Sequence, residues 1–154
     1  MKGAARSYTL RRRAPIPEEV AFLDLVRTTE LLSRPMAQLF KGKDLSPAQY
    51  NVLRILRGSP EGLTCGEIAN RVITRDPDIT RLLDRMEKRG LISRSREERD
   101  RRVVLTRITA EGLDFLGSLD QPVRDMHRRL LGHLGAARLV VLRELLKLCR
   151  SEVE

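Results

Sequence analysis

Arg81, Arg85 and Lys88 are spaced so that they share one face of a predicted helix. Arginine can hold guanine in a bidentate fork, aspartate can accept a hydrogen bond from cytosine, and both basic types pair with phosphate. This spacing predicts contacts with nucleic acid. The predicted contact residues are Arg75, Asp76, Pro77, Asp78, Thr80, Arg81, Arg85 and Lys88. The alternative is a solvated face on which Asp84 and Glu87 pair with the basic residues.

A charged hairpin is predicted after this helix, because strand-like residues 92–96 and 102–108 flank a charged tip. Its arginine-rich part, Ser93–Arg107, is called the wing below. Arginine at a hairpin tip can enter a narrow minor groove, where the negative potential is strongest. The predicted contact residues of the wing are Arg94, Arg96, Arg99, Arg101 and Arg102. Asp100 can fix an arginine by a charge-assisted bond, and the alternative is an edge strand guarded by charge.

The charge of the whole chain also favours a polyanionic partner. The 154 residues include 30 Lys and Arg against 21 Asp and Glu, a formal net charge of +9. Release of phosphate counterions drives such chains onto nucleic acid, although net charge alone also fits a merely soluble basic protein. Because there is no Trp, with 2 Tyr and 3 Phe, the core must be aliphatic. Leu-rich helical chains of this kind often complete their core by pairing with a second copy.

Several classes of protein are disfavoured by what the sequence lacks. Residues 1–15 read as a flexible basic arm without the apolar run of a signal peptide, and no stretch suits a membrane span. Cys65 and Cys149 form no disulfide framework, so we expect a cytoplasmic protein. His127 and His133 lack further metal ligands at suitable spacing. No catalytic or phosphate-binding motif occurs, and we expect no metal, no cofactor and no enzymatic activity.

Two helices in the middle of the chain begin with the same signal, a capping box. Ser46 is followed by Gln49, and Thr64 is followed by Glu67. In this motif the hydroxyl and the longer side chain each satisfy a free backbone N–H of the first turn. We predict that the first helix ends near residue 57 and that the second is short, ending near residue 72.

The third helix of this group is predicted over Pro77–Arg89, with Asp76 as its N-cap and a stop at Gly90. The order of helix, short helix, turn, helix and charged hairpin defines a winged helix-turn-helix. In such a motif the second helix of the pair enters the major groove and its N-terminal residues reach the base edges.

Long helices flank this central part. One is predicted over residues 16–42, and Pro35 should kink or split it. The chain after the wing predicts two more helices within residues 110–151, the first kinked at Pro122 and reaching about residue 134. The predicted fold class is therefore mainly α: a winged helix-turn-helix with a small β-hairpin wing, between N- and C-terminal helices.

An ordered set of motifs runs through the centre of the chain. The set comprises LSPAQY at 45–50, Leu53, Leu63–Thr64, Ile68–Ala69, ITRLLDRME at 79–87, RGLI at 89–92, DRR at 100–102 and ITAEG at 108–112. Residues 45–112 thereby resemble the MarR family of winged-helix regulators. One departure is the acidic start of the third helix, Asp76-Pro77-Asp78, which suggests an unusual operator.

The resemblance implies a homodimer in which each chain is a single domain, residues 16–154. It implies that residues 45–112 form the DNA-binding lobe and that residues 16–42 and 110–151 form dimerisation helices. It also implies a salt bridge between Asp100 and Arg102 in the wing, with Arg101 or Arg102 in the minor groove.

An effector pocket would lie between the dimerisation helices and the DNA-binding lobe. Its candidate lining residues are Leu31, Met36, Tyr50, Leu53 and Leu116, and plain core packing is the alternative for each. The resemblance implies a regulator, a dimeric repressor of a palindromic double-stranded DNA operator, relieved by a small molecule or an oxidant. The alternatives are an effector-independent architectural DNA-binding protein and a protein-interaction module with a basic face.

Overall fold

The computed structural model describes residues 14–73, 78–97 and 100–151. Their helices are α1 (Pro17–Lys41), α2 (Pro47–Arg57), α3 (Cys65–Arg71), α4 (Ile79–Lys88), α5 (Ala110–Leu131) and α6 (Gly135–Ser151). Strands β1 (Ile92–Arg96) and β2 (Val104–Ile108) form one antiparallel hairpin. The predicted fold class, a mainly α winged helix-turn-helix with a small hairpin, is confirmed.

The chain divides into two compact units, residues 1–33 and residues 34–154. The helical part of the first unit exposes several large apolar side chains, among them Phe22 and Leu23. The second unit holds the hairpin, the helices after α1 and the hydrophobic core. No helix among the described residues is long and apolar enough to cross a membrane.

Both predicted capping boxes are confirmed. The Ser46 N–H donates to Gln49 Oε1 at 2.9 Å, and the Gln49 N–H donates back to Ser46 Oγ at 3.1 Å. The Thr64 N–H donates to Glu67 Oε2 at 2.8 Å, and the Glu67 N–H donates to Thr64 Oγ1 at 3.3 Å. Because caps fix where helices start, they set the register of α2 and α3.

The N-terminus of α4 differs from the prediction. The helix begins at Ile79 and its N-cap is Asp78, whose Oδ1 accepts a hydrogen bond from the Arg81 N–H at 3.2 Å. The prediction placed the cap at Asp76, which lies outside the described residues together with Pro77. Two aspartates of equal capping ability stand two residues apart in the sequence, and Asp78 accepts from the N3 amide of the helix.

Pro35 and Pro122 lie inside helices. Pro35 does not split α1, α5 continues through Pro122 as predicted, and a kink at either proline stays a prediction. An interior proline removes one backbone hydrogen bond and crowds the preceding turn, but that cost does not end a long helix. Helix α5 stops at Leu131, and a single 3-10 turn over Gly132–Leu134 joins it to α6.

An aliphatic core holds α4 in place. Leu82, Leu83 and Met86 are almost fully buried on its inner face. They belong to one cluster with Leu53 of α2 and Leu116 of α5. Burial of these side chains is the main favourable term in folding the lobe, and it leaves the opposite face of α4 to solvent.

The end of α4 leads directly into the hairpin. Gly90 has a φ of 72°, a left-handed conformation that glycine adopts without a steric penalty. The Leu91 N–H donates to the Met86 carbonyl at 3.1 Å, which closes the helix, and β1 starts at the next residue. The predicted stop at Gly90 is confirmed, and it fixes the wing relative to α4.

Candidate nucleic-acid interface

The outer face of α4 presents basic side chains to solvent. Arg81, Arg85 and Lys88 are exposed, as is Thr80. The Arg81 side chain is 81% exposed, and its Nε lies 3.1 Å from Asp78 Oδ2. The predicted stripe is therefore present on the surface, and the buried leucines behind it hold its backbone.

Arg94 of β1 does not extend away from the protein but forms a clamp onto α4. Its Nη2 lies 2.6 Å from Asp84 Oδ1 and 2.6 Å from Glu87 Oε2, and its Nε donates to the same Glu87 oxygen at 2.9 Å. The Arg94 backbone N–H donates to Glu87 Oε1 at 3.1 Å. These bonds lower the pKa of Glu87 and raise the pKa of Arg94.

The clamp changes the charge that α4 presents. Asp84 and Glu87 are its acidic residues, and both face Arg94. Within the described ranges, Arg85 and Lys88 form no ion pair. The alternative in which Asp84 and Glu87 neutralise the helix's own basic stripe does not match these contacts. Nε and Nη2 of Arg94 are thus bound to carboxylates of α4, and the contact of Arg94 with nucleic acid stays a prediction.

The predicted side-chain salt bridge between Asp100 and Arg102 is absent from the described contacts. Asp100 Oδ1 instead accepts a hydrogen bond from the backbone N–H of Arg102 at 2.9 Å. The Asp100 carbonyl accepts another from the Val103 N–H at 2.9 Å. Aspartate often bonds the backbone two residues ahead in a turn, so Asp100 shapes the tip and leaves the guanidinium of Arg102 to solvent.

The remaining arginines that were predicted to contact DNA differ in how the structure describes them. Arg96, Arg101 and Arg102 are exposed. Arg75 and Arg99 lie outside the described residues. The exposed basic set of the described interface is Arg81, Arg85, Lys88, Arg96, Arg101 and Arg102, and it lies on the one helix and the one hairpin that the clamp joins.

Besides the pairing of β1 with β2, a single β-bridge between Leu63 and Thr106 holds the base of the wing. The Leu63 N–H donates to the Thr106 carbonyl at 3.0 Å, and the Thr106 N–H donates back at 2.8 Å. Leu63 precedes the cap of α3, so this bridge ties β2 to the start of the helix-turn-helix. Sequence reasoning missed it, because a single bridged residue leaves no strand pattern.

A cavity of about 230 Å³ lies elsewhere in the second unit. It is lined by Met36, Phe40, Pro47, Ala48, Tyr50, Asn51, Arg54, Val72, Ile73 and His127. Two of the predicted pocket residues, Met36 and Tyr50, are in this set. Leu53 and Leu116 are fully buried in the core, and Leu31 is an exposed residue of the first unit. Those three residues do not line this cavity, because apolar residues of core and pocket look alike in a sequence.

The cavity combines apolar walls with basic groups. The rings of Phe40 and Tyr50 stack with centroids 4.4 Å apart, and the Arg54 guanidinium lies 5.9 Å from the Tyr50 centroid. Burial raises the pKa of Tyr50, so its hydroxyl stays neutral. Arg54 and His127 supply cationic or hydrogen-bonding edges to an otherwise apolar site, which suits a small molecule with an apolar body and an anionic group.

An ion pair holds α2, which carries several of these residues, against α5. Arg57 Nη1 donates to both Asp120 oxygens, at 3.0 and 2.9 Å. The bond lowers the pKa of Asp120. This contact also escaped sequence reasoning, because the two residues are 63 positions apart.

The two cysteines occupy different surroundings. Cys65 is half-buried in the first turn of α3, with its Sγ 4.0 Å from Thr80 Oγ1. Cys149 on α6 is exposed. Among residues 14–73, 78–97 and 100–151, no group of three or more His, Cys, Asp or Glu side chains could bind a metal ion.

Comparison with known proteins agrees with this geometry. The model of the MarR family matches residues 45–104. A MarR transcription factor of Planctomyces limnophilus is 43% identical, with 89% of this chain and 99% of that chain covered and a TM-score of 0.66. The transcriptional repressor IacR of Pseudomonas putida is 28% identical, with 89% and 81% covered. The chain therefore belongs to the MarR family, and it is a DNA-binding transcription regulator with a winged helix-turn-helix.

A further solved structure shows the same fold at low identity. It is that of BpsR from Bordetella bronchiseptica, whose DNA binding is regulated by 6-hydroxynicotinic acid. It is 22% identical, covers 88% of this chain and 95% of its own, and has a TM-score of 0.76.

Proposed function

We propose that this chain is a dimeric, cytoplasmic repressor that binds a palindromic operator and is released by a small molecule. The observation that carries the DNA-binding part is the Arg94 clamp. By occupying the acidic residues of α4, it leaves Arg85 and Lys88 as cations without ionic partners in the described contacts. Cations of this kind can bind the phosphates of duplex DNA and the base edges in its grooves.

Exposed apolar surface supports the dimer. On α6, Val140, Val141, Leu145 and Leu148 are all more than half exposed. In the first unit, Phe22 and Leu23 are similarly exposed. In each unit taken by itself, exposed large apolar side chains of this kind favour an association surface. A two-fold dimer would present two copies of α4 and a symmetric operator, with half-site centres about 10 bp apart or a multiple of that.

The cavity beside Tyr50 supports regulation by a ligand. Its apolar walls and its two basic groups, Arg54 and His127, fit a small organic anion. BpsR, with the same fold, responds to such a molecule, and IacR is a repressor. The cavity therefore favours a ligand-regulated protein over an effector-independent architectural DNA-binding protein.

Replacing Arg81 with alanine tests base contact by α4. We expect a loss of about 1–3 kcal/mol per half-site on an operator selected by the wild type from random duplexes. The residue lies near the N-terminus of the helix, where base edges are reached. Fluorescence anisotropy titration measures the effect.

The control is Lys43→Ala, which removes an exposed cation outside both the DNA-binding lobe and the predicted dimerisation helices. It should leave operator affinity unchanged. Equal losses for Arg81→Ala on the operator and on a scrambled duplex would mean that Arg81 contacts phosphate only.

A further inference from the structure

One hydrogen bond joins the wall of the cavity to the end of α3. The Ile73 N–H donates to Asn51 Oδ1 at 3.0 Å. Asn51 is half-buried on α2, and Ile73 is the second residue after α3. A side-chain acceptor thus takes a backbone N–H that no helix satisfies.

The bond lies in the wall of the cavity, shortly before α4 in the sequence. Asn51, Val72 and Ile73 all line the cavity. Five positions after Ile73, Asp78 caps α4. The place where the chain leaves α3 for α4 is therefore held on the cavity side by Asn51.

The side chain of Ile73 has an unusual position for an isoleucine. It is 85% exposed, more than any other large apolar side chain that the structure describes. It stands at the edge of the apolar cavity, where a ligand with an apolar body would cover it. Covering it is favourable because apolar surface leaves water.

We propose that Asn51 is a positioning residue that transmits occupancy of the cavity to α4. While the cavity is empty, its side chain fixes Ile73 and thereby the entry to α4. A ligand that donates a hydroxyl or N–H to Asn51 and covers Ile73 replaces this bond, and Ile73, five positions before the cap of α4, is then no longer fixed to α2. Such a ligand favours the released state by its differential affinity for the two states. This inference rests on the proposed function.

The test compares Asn51→Leu, which has a similar size and no acceptor, with Asn51→Asp, which keeps the acceptor. Two quantities are measured: amide hydrogen exchange at Ile73, and affinity for the operator that the wild type selects. We expect Asn51→Leu to exchange faster at Ile73 and to bind the operator roughly five- to tenfold more weakly, the value of one neutral hydrogen bond. Asn51→Asp should retain both properties.

A volume-conserving change on the same helix but outside the cavity lining, Ile55→Leu, is the matched control and should alter neither quantity. If Asn51→Leu does not fold, Asn51→Ala replaces it. Loss of protection at Ile73 with wild-type operator affinity would overturn the proposal, as would an Ile73 amide that exchanges freely in the wild type.

The ligand step is tested with two probes, 4-hydroxybenzoate and benzoate. Both carry a ring and a carboxylate for Arg54, but only the first has a hydroxyl donor for Asn51. We expect 4-hydroxybenzoate to weaken operator binding by the wild type and to speed hydrogen exchange at the Ile73 amide. Benzoate should have much less effect on the wild type, and 4-hydroxybenzoate should have much less effect on Asn51→Leu. Equal effects of the two probes, or none from either, would refute the ligand step. Failure of the wild type to select any operator would instead refute the proposed function.

Discussion

Replacing Arg94 with alanine is expected to lower operator affinity by about 2 kcal/mol, or roughly 30-fold. The substitution removes the charge-assisted bonds to Asp84 and Glu87, each worth more than a neutral hydrogen bond. It also leaves two carboxylates without partners on the helix that must approach a polyanion. The magnitude is kept modest because all three side chains are partly exposed and solvent screens them. Anisotropy titration of the selected operator measures the loss.

A compensated variant separates clamping from direct contact. In Arg94→Ala combined with Asp84→Asn and Glu87→Gln, the uncompensated negative charge is gone, so most of the affinity should return. Such recovery is the coupling that a mutant cycle measures. If the combined variant binds no better than Arg94→Ala alone, Arg94 contacts the DNA itself and the clamp is not its main role.

Replacing Gly112 with alanine is expected to destabilise the fold by about 3 kcal/mol. Gly112 lies in the first turn of α5, and its N–H donates to the Thr109 cap at 3.0 Å. A β-carbon there would fall well inside van der Waals contact with the Leu91 carbonyl oxygen and 2.8 Å from Ile108 Cγ1. Overpacking against backbone commonly costs 1–3 kcal/mol or more, and Leu91 links α4 to β1. Urea unfolding monitored by circular dichroism measures the change.

The same helix offers a control of opposite sign. Gly117 is exposed, and a β-carbon built on it meets no heavy atom within 4 Å apart from its chain neighbours and the backbone of its own helix. Because alanine favours a helix over glycine, Gly117→Ala should stabilise the chain by about 0.5–1 kcal/mol. Similar destabilisation by both substitutions would contradict the close approach of α5 to Leu91.

Local signals were the part of the fold that the sequence predicted well. The two capping boxes fixed the starts of α2 and α3, because each depends on side chains only three residues from their backbone partners. Gly90 ended α4 for a similar reason. Where two local signals competed, as Asp76 and Asp78 did, the sequence contained nothing to choose between them.

Contacts between elements were the part that escaped. Arg94 meets Asp84 and Glu87 because the turn at Gly90 folds β1 back beside α4, and only that geometry distinguishes Arg94 from the other arginines of the wing. Leu53 and Leu116 were assigned to a pocket and lie in the core, because the packing of whole helices decides which leucines line a cavity.

Sequence-specific binding of duplex DNA by α4 and the wing is tested most directly by wild-type affinity for the selected operator and for a scrambled duplex. Both are measured between about 50 and about 200 mM salt. We predict a steep negative salt dependence on both duplexes and at least about 10³-fold tighter binding to the operator. Equal affinity for the two duplexes would point to an architectural protein, and an affinity independent of salt would contradict DNA binding through the basic surface.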